Sequence, residues 1–381
     1  MADYKIALIG SGNSSGGLVS MLNEFLSYHP GRAVEVTLFC SQSFITPYKN
    51  INPNIRIVLT DTLNENKWSS LFGLCYKRSF KKLIKNYEPN AVFFITGSSK
   101  FGLGNYRSYI VLNNQLYTNF RRVLKQQSLG VSITTFIYGL KFRLRSNYIS
   151  YIFYSSEYSK EESQNILKSK KYAVVPFACN RIFYKDTIEN DTRARQTKTV
   201  KLLNIGSIIP YKNQELVIDA LKLIKERGYS FSITFIGRAL SKKYLTTCQN
   251  KINKYGLSDQ VSFIEWLEPN KVIEYIDKSD ILINSSETDT CATSVEEGMA
   301  RCIPVIASDT PFNREMVRDG GLYFSLGNAS SLADVIAEYI DSEDLRNQLA
   351  RRGYDLSRQW TLSDTAKRYY EIIIGELHEK C

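Results

Sequence analysis

Short apolar runs alternate with amphipathic segments along almost the whole chain, and this alternation leaves few folds open. "YKIALIG", "VEVTLFC", "IRIVL", "AVFFITG", "YIVLN", "YISYIFYSS" and "KKYAVVPF" follow one another in the first half. "VKLLNIG", "FSITFIG", "QVSFIE", "DILINSS" and "IPVIAS" repeat the theme in the second. Strands separated by helical segments cannot close hairpins, so they must lie parallel, with helices over both faces. Between the two series, "YKDTIENDTRARQTKTV" is polar and short of apolar residues, which reads as a linker. The expected organisation is an N-terminal domain over 1–180, a linker over 181–199, a second domain over 200–360, and a C-terminal helix over 361–381 that packs back towards the first. Ligands of such folds sit at the C-terminal ends of the strands.

Bulk properties exclude several classes. No apolar run approaches the ~18 residues that span a bilayer, and the N-terminus has strand character with no cleavable apolar region. Cys40, Cys75, Cys179, Cys248, Cys291, Cys302 and Cys381 are scattered with no C-x-x-C pair. That speaks against a disulfide framework or a zinc site and fits a reducing cytoplasm. The net charge is +11, and its distribution is uneven: residues 1–190 hold 24 Lys and Arg against 11 Asp and Glu, and residues 191–381 hold 25 against 27. The basic half attracts anionic partners. No nucleic-acid-binding motif accompanies it, so nucleic acid is not an expected partner.

The stretch "KIALIGSGNSSGGL" places glycines after the first strand. A dinucleotide fingerprint needs a third glycine where Ser15 stands, and an acidic residue at the end of the second strand, which instead reads "LFCSQSF". NAD binding is therefore disfavoured. Two readings of Gly12, Ser15, Gly16 and Gly17 remain open: a tight turn, or a loop at a helix N-terminus facing a sugar, phosphate or acceptor.

The second half carries a series of ordered motifs: "LLNIGSIIPYKNQELVIDAL", "FIGRAL", "VSFIEWLEPNKVIEYIDKSDILINSSETDTCATSVEEGMARCIPVIAS" and "REMVRDGGLYFSLGNASSLADVI". Together they resemble the nucleotide-binding domain of retaining GT-B glycosyltransferases of the family-4, or group 1, class. The resemblance covers about 170–370, and reaches the first half through "GNSSGG" and "YIFYSSEYSKEESQ". It implies an α/β GT-B fold, two Rossmann-like domains facing a central cleft, with the N-terminal glycine loop on the acceptor side.

Residue by residue, the resemblance implies the following roles. The family's G-R-x-x-x-x-K pattern reads Gly206, Ser207, then Lys212, so the lysine matches and the arginine is replaced by a neutral serine. Arg238, beside Gly237 in "FIGRAL", is the candidate substitute. Glu297 matches the second of the family's paired glutamates, implying a hold on the nucleotide ribose. Asp289 stands where the first would be and would meet the donor sugar; Glu287 takes that place only if the loop carries an insertion. Glu296 is the expected bystander, exposed or paired locally. Thr290, Cys291, Ala292 and Thr293 form the turn before the helix, where backbone N–H groups suit a phosphate or sugar. Trp266, with Glu265, is loosely placed near the base. Asn113 and Asn114 occupy the neighbourhood where relatives carry a histidine.

Neither His29 nor His378 reads as a general base. The implied enzyme is a hexosyltransferase-type, retaining, metal-independent glycosyltransferase without cofactor. Its donor would be a nucleotide-diphosphate sugar, and its acceptor a glycan or polyprenyl diphosphate in bacterial surface polysaccharide synthesis. The helical pattern with Lys77, Arg78, Lys81, Lys82 and Lys85 has two readings: a solvated basic face, or a surface for anionic membrane. The expected location is cytoplasmic, with peripheral binding to the inner face of the cell membrane under the second reading. Other chemistry on the same fold (an epimerase or a phosphorylase) or a nucleotide-sugar-binding protein with weak catalysis are the competing readings.

Overall fold

The computed structural model describes residues 3–11, 17–63, 77–96, 103, 106–112, 137, 140, 143–144, 148–164, 171–186, 188, 199–289 and 292–379. The chain divides into two compact units, Met1–Ala178 with Trp360–Cys381, and Cys179–Gln359. Each is built on one parallel sheet.

In the first unit, β1 (Tyr4–Gly10), β2 (Val34–Cys40), β3 (Ile55–Leu59), β4 (Ala91–Phe94), β5 (Arg107–Leu112), β6 (Tyr151–Tyr154) and β7 (Lys171–Val174) lie in the order β3-β2-β1-β4-β5-β6-β7. The described helices between them are α1 (Gly17–Ser27), α2 (Gln42–Ile45), α3 (Arg78–Tyr87) and α4 (Glu157–Gln164). Central strands such as β4 are buried at every position, as a sheet covered on both faces requires. The C-terminal helix Leu362–His378 belongs to this unit. A Thr361–Asp364 capping box starts it, so two otherwise orphaned backbone donors are satisfied. Tyr370 then stacks on Phe25 at 5.5 Å, and Tyr369 meets Phe153 at 4.7 Å. Trp360 Nε1 donates to Pro176 O at 3.0 Å.

Helix α3 carries the basic pattern. Its Phe80 and Ile84 are buried, Phe80 edge-on to Phe39, while Lys77, Arg78, Lys82 and Lys85 are exposed. The helix thus spends one face on the core and turns its charges outward, as a 3.6-residue period dictates. The neighbouring Trp68, Leu71, Phe72 and Cys75 lie outside the described residues.

The second unit runs β8 (Val200–Ile205), α5 (Gln214–Glu226), β9 (Phe231–Ile236), α6 (Lys242–Lys254), β10 (Val261–Ile264), α7 (Pro269–Lys278), β11 (Ile281–Asn284), α8 (Thr293–Ala300), β12 (Val305–Ser308), α9 (Pro311–Val317), β13 (Leu322–Phe324), α10 (Ala329–Asp341) and α11 (Glu343–Ser357). Its sheet order is β10-β9-β8-β11-β12-β13. Leu216, Val217, Ile218, Ala220, Leu221 and Ile224 of α5 are buried against it, each large side chain contributing about 1.5–3 kcal/mol. Both units therefore share the doubly wound α/β plan. In the second, the order in which strands are added reverses between β8 and β11, and that is where the loops after neighbouring strands part to leave room for a ligand.

Candidate active site

The loops after β8 and β11 are stitched together by buried polar side chains. Asn204, near the end of β8, donates from Nδ2 to Ile283 O at 2.8 Å. Ser285, just past β11, donates from Oγ to Lys212 O at 2.8 Å, and Glu287 N donates to Tyr211 O at 2.8 Å. Gln214, fully buried at the start of α5, donates to Ser207 O at 3.0 Å. Most buried amides and hydroxyls are hydrogen-bonded, and these contacts fix the path of the Gly206–Lys212 turn. "LLNIG" and "LINSS" carry the signal, a polar residue inside or just after an apolar strand, and reading for motifs alone passes over Asn204, Gln214 and Ser285.

This stitching brings together two residues distant in sequence. Lys212 Nζ forms an ion pair with Asp289 Oδ2. Their side chains are only 18% and 19% exposed, so water screens the pair less than a surface pair. The Tyr211 ring lies 6.0 Å from the ammonium, and burial pushes its hydroxyl pKa up. Glu287, the alternative to Asp289, instead holds the loop through its backbone.

The flanking strands end flush. Gly206 N donates to Ile236 O at 2.9 Å, and Gly237 N to Ile264 O at 2.8 Å. A Cβ at Gly237 would fall 2.0 Å from Gly206 O, so only glycine fits there. Arg238 and Trp266, both exposed, follow these strand ends, with the guanidinium carbon 5.6 Å from the ring centroid.

Helix α8 carries the two glutamates. Gly298 lets it close on β11, because a Cβ there would meet Leu282 Cδ1 at 3.1 Å. Ala292 is buried and Thr293 begins the helix; Thr290 and Cys291 lie outside the described residues. Glu297 is partly buried, and burial pushes its carboxyl up to about 8. Glu296 departs from expectation. Its Oε2 is buried with no hydrogen-bond partner among the described residues, so it is neither exposed nor paired locally. The physical reason is coverage of the outer side of α8: Lys185 N donates to Ala300 O at 3.4 Å, and Gly353 of α11 packs on Met299. Burial holds the Glu296 carboxyl well above its usual range, the neighbouring Glu297 adds to this, and Arg318 opposes it.

On the first unit, Gly17 opens α1, while Gly12, Ser15, Gly16, Asn113 and Asn114 lie outside the described residues. His378 Nδ1 sits 2.9 Å from Tyr4 OH, and His29 Nδ1 accepts from Gly31 N. Among the described residues, no three His, Cys, Asp or Glu side chains gather as a metal site, and no helix is long and apolar enough to cross a membrane.

A raised carboxyl pKa links stability to pH in a definite direction. Glu297 keeps its proton in the folded state up to about 8, whereas the unfolded chain releases it near 4.5. The unfolded state therefore binds fewer protons between these values, and stability falls as pH rises across that window. Urea midpoints measured from pH 5 to 8 are expected to decline, and Glu297→Gln to flatten the decline. An equal slope in wild type and variant would show that Glu297 ionises normally.

Cation and carboxylate thus meet at the switch point of a parallel sheet, the place where ligands of open α/β sheets bind. Residues 185–356, most of the second unit, match the family model Glycosyl transferases group 1. The chain is 26% identical to "Uncharacterized glycosyltransferase MJ1178" of Methanocaldococcus jannaschii, over 54% of each protein. It is 24% identical to "O-antigen chain mannosyltransferase RfbU" of Salmonella typhimurium, over 47% of this chain and 50% of that protein. The chain thus spans about half the length of these curated relatives. Among solved structures, Anabaena HepE in complex with UDP-glucose superposes with a TM-score of 0.73 at 15% identity, covering 98% of this chain and 100% of that one. The fold is GT-B, composed of two Rossmann-like units.

Proposed function

We propose that this protein is a retaining, metal-independent glycosyltransferase of the hexosyl-transferring type. It moves a sugar from a nucleotide-diphosphate sugar to a glycan or polyprenyl-linked acceptor, in bacterial surface polysaccharide synthesis at the inner face of the cell membrane. The observation that carries the reading is the Lys212–Asp289 pair at the reversal point of the second sheet. In this reading Lys212 Nζ faces the departing diphosphate, Asp289 accepts from a hydroxyl of the donor sugar, and Glu297 accepts from the ribose hydroxyls. The bond from the anomeric carbon to the diphosphate oxygen breaks, with its electrons leaving on the diphosphate. The acceptor oxygen bonds the same face of that carbon, and its proton passes to the departing phosphate oxygen. No side-chain base is then needed, and a cationic side chain stabilises the charge that a metal would otherwise meet. The relative named for O-antigen mannosyl transfer supports the surface-polysaccharide setting. The exposed basic residues of α3 support the membrane one, each adding about 1 kcal/mol near an anionic surface.

The test has two stages. UDP, GDP, CDP, dTDP and ADP are added in a thermal-shift panel, where a ligand of the folded state raises the midpoint. The sugar nucleotides of the strongest binder are then supplied with lipid-linked acceptors in excess EDTA, and the product linkage is read by NMR. Stabilisation by one nucleotide and a product that keeps the donor's anomeric configuration are expected. Inversion, a requirement for added metal, or the absence of transfer overturns the corresponding part of the reading.

Asp289 provides a sharper check. Asp289→Asn keeps the shape, loses the charge and leaves Lys212 without its carboxylate. A site built to bond a hydroxyl discriminates strongly when that bond is impaired. The expected result is a fall of about 100-fold in kcat/KM for the sugar nucleotide, with affinity for the bare nucleotide changed far less. Normal donor kinetics in Asp289→Asn, with Glu287→Gln crippled, would transfer the role to Glu287.

A further inference from the structure

Resting on the nucleotide-sugar reading above, we propose that Arg238 is the principal diphosphate-binding cation of this site, and that Trp266 is its positioning residue. A diphosphate carries more negative charge than one lysine offsets, and the charge of Lys212 is already opposed by Asp289. The turn itself offers no further cation: Ser207 is neutral, and its carbonyl is taken by Gln214. Arg238 lies against this turn. The Gly206–Gly237 approach leaves no room for a side chain between the two strand ends. Arg238 O accepts from Ile208 N at 2.9 Å, so the arginine backbone runs directly alongside Ser207.

The ring supplies the second half of the assignment. Ile236 of β9 and Ile264 of β10 are register partners, and Arg238 and Trp266 each stand two residues beyond that rung. The guanidinium carbon is 5.6 Å from the indole centroid. Arg238 forms no ion pair among the described residues, so nothing else there competes for its charge. A guanidinium set over a ring still offers N–H groups to a ligand, and those are the groups that bond two phosphate oxygens at once. Trp266 is 48% exposed, a cost in apolar exposure that such a role explains.

The experiment is calorimetry with UDP, GDP, CDP, dTDP, ADP and the five parent nucleosides. Arg238→Ala and Arg238→Gln should weaken the best-bound diphosphate about 10- to 100-fold, as loss of a charge-assisted bond does, and leave the nucleoside affinity where it was. Ser207→Arg introduced into Arg238→Ala should recover most of the loss, because it returns a guanidinium to the same turn. Trp266→Ala should reproduce part of the Arg238→Ala loss, and Trp266→Phe, which keeps a ring face, should restore it. Unchanged diphosphate affinity in both Arg238 variants overturns the assignment while the nucleotide-sugar reading stands. Equal losses of diphosphate and nucleoside in Trp266→Ala overturn the positioning role and make the ring a shelf for the base. A wild-type protein that binds none of the five diphosphates overturns the nucleotide-sugar reading itself, and this assignment with it.

Discussion

Lys212→Ala is expected to lower turnover by about 100- to 1,000-fold, the usual cost of deleting one group aimed at charge that develops in a transition state. The charge on the departing diphosphate grows as the glycosidic bond breaks, so a fixed ammonium is worth more at the barrier than in the bound donor. The loss should therefore fall mainly on kcat, with KM moving far less. Lys212 also neutralises Asp289, whose side chain is 19% exposed. Removing the lysine leaves that carboxylate beside an anionic substrate, which adds repulsion to the lost attraction. Lys212→Arg returns the charge on a longer, planar group and should recover only part of the rate. Steady-state kinetics on the three proteins decide the matter. Equal kcat in wild type and Lys212→Ala would remove Lys212 from the chemistry.

The largest effect on stability is expected from Gly237→Ala. The added methyl would lie 2.0 Å from Gly206 O and 2.5 Å from Gly206 C, and both obstacles are backbone. No rotamer change relieves such a clash, so the ends of β8 and β9 must move apart. That movement strains the bonds from Gly206 N to Ile236 O and from Ile208 N to Arg238 O. A loss of about 3 kcal/mol, the upper end of ordinary overpacking, is expected. Urea denaturation should show a lower midpoint at an unchanged slope. The surviving folded protein should bind nucleotide poorly, because the same movement displaces the turn that carries Lys212. A midpoint equal to wild type would mean that the two strand ends are not held in the contact described.

Much of this architecture is legible in the chain. Apolar runs too closely bounded by helical segments to form hairpins dictate parallel strands, and endings such as "LLNIG" and "SITFIG" mark where a strand yields to a turn. The resemblance to the group 1 glycosyltransferases, carried by the Gly206–Lys212 pattern and the run "EGMARCIPV", points to Lys212 and Glu297 without any coordinates. Those features are local, and local chemistry is what a sequence displays: strand period, turn residues and helix starts.

What only the tertiary structure decided is which distant residues meet. Lys212 and Asp289 lie 77 residues apart, and they pair because β11 enters the sheet beside β8 while β9 and β10 occupy its other side. Asn204 and Ser285 read as ordinary polar residues until that order makes them the stitches between two loops. Glu296 read as exposed or paired locally because helical spacing alone cannot reveal that Lys185 and α11 cover the outer side of α8. Charge pairing and desolvation act through space over a few ångströms, so they follow the strand order and the packing of helices, which no short stretch of the chain contains.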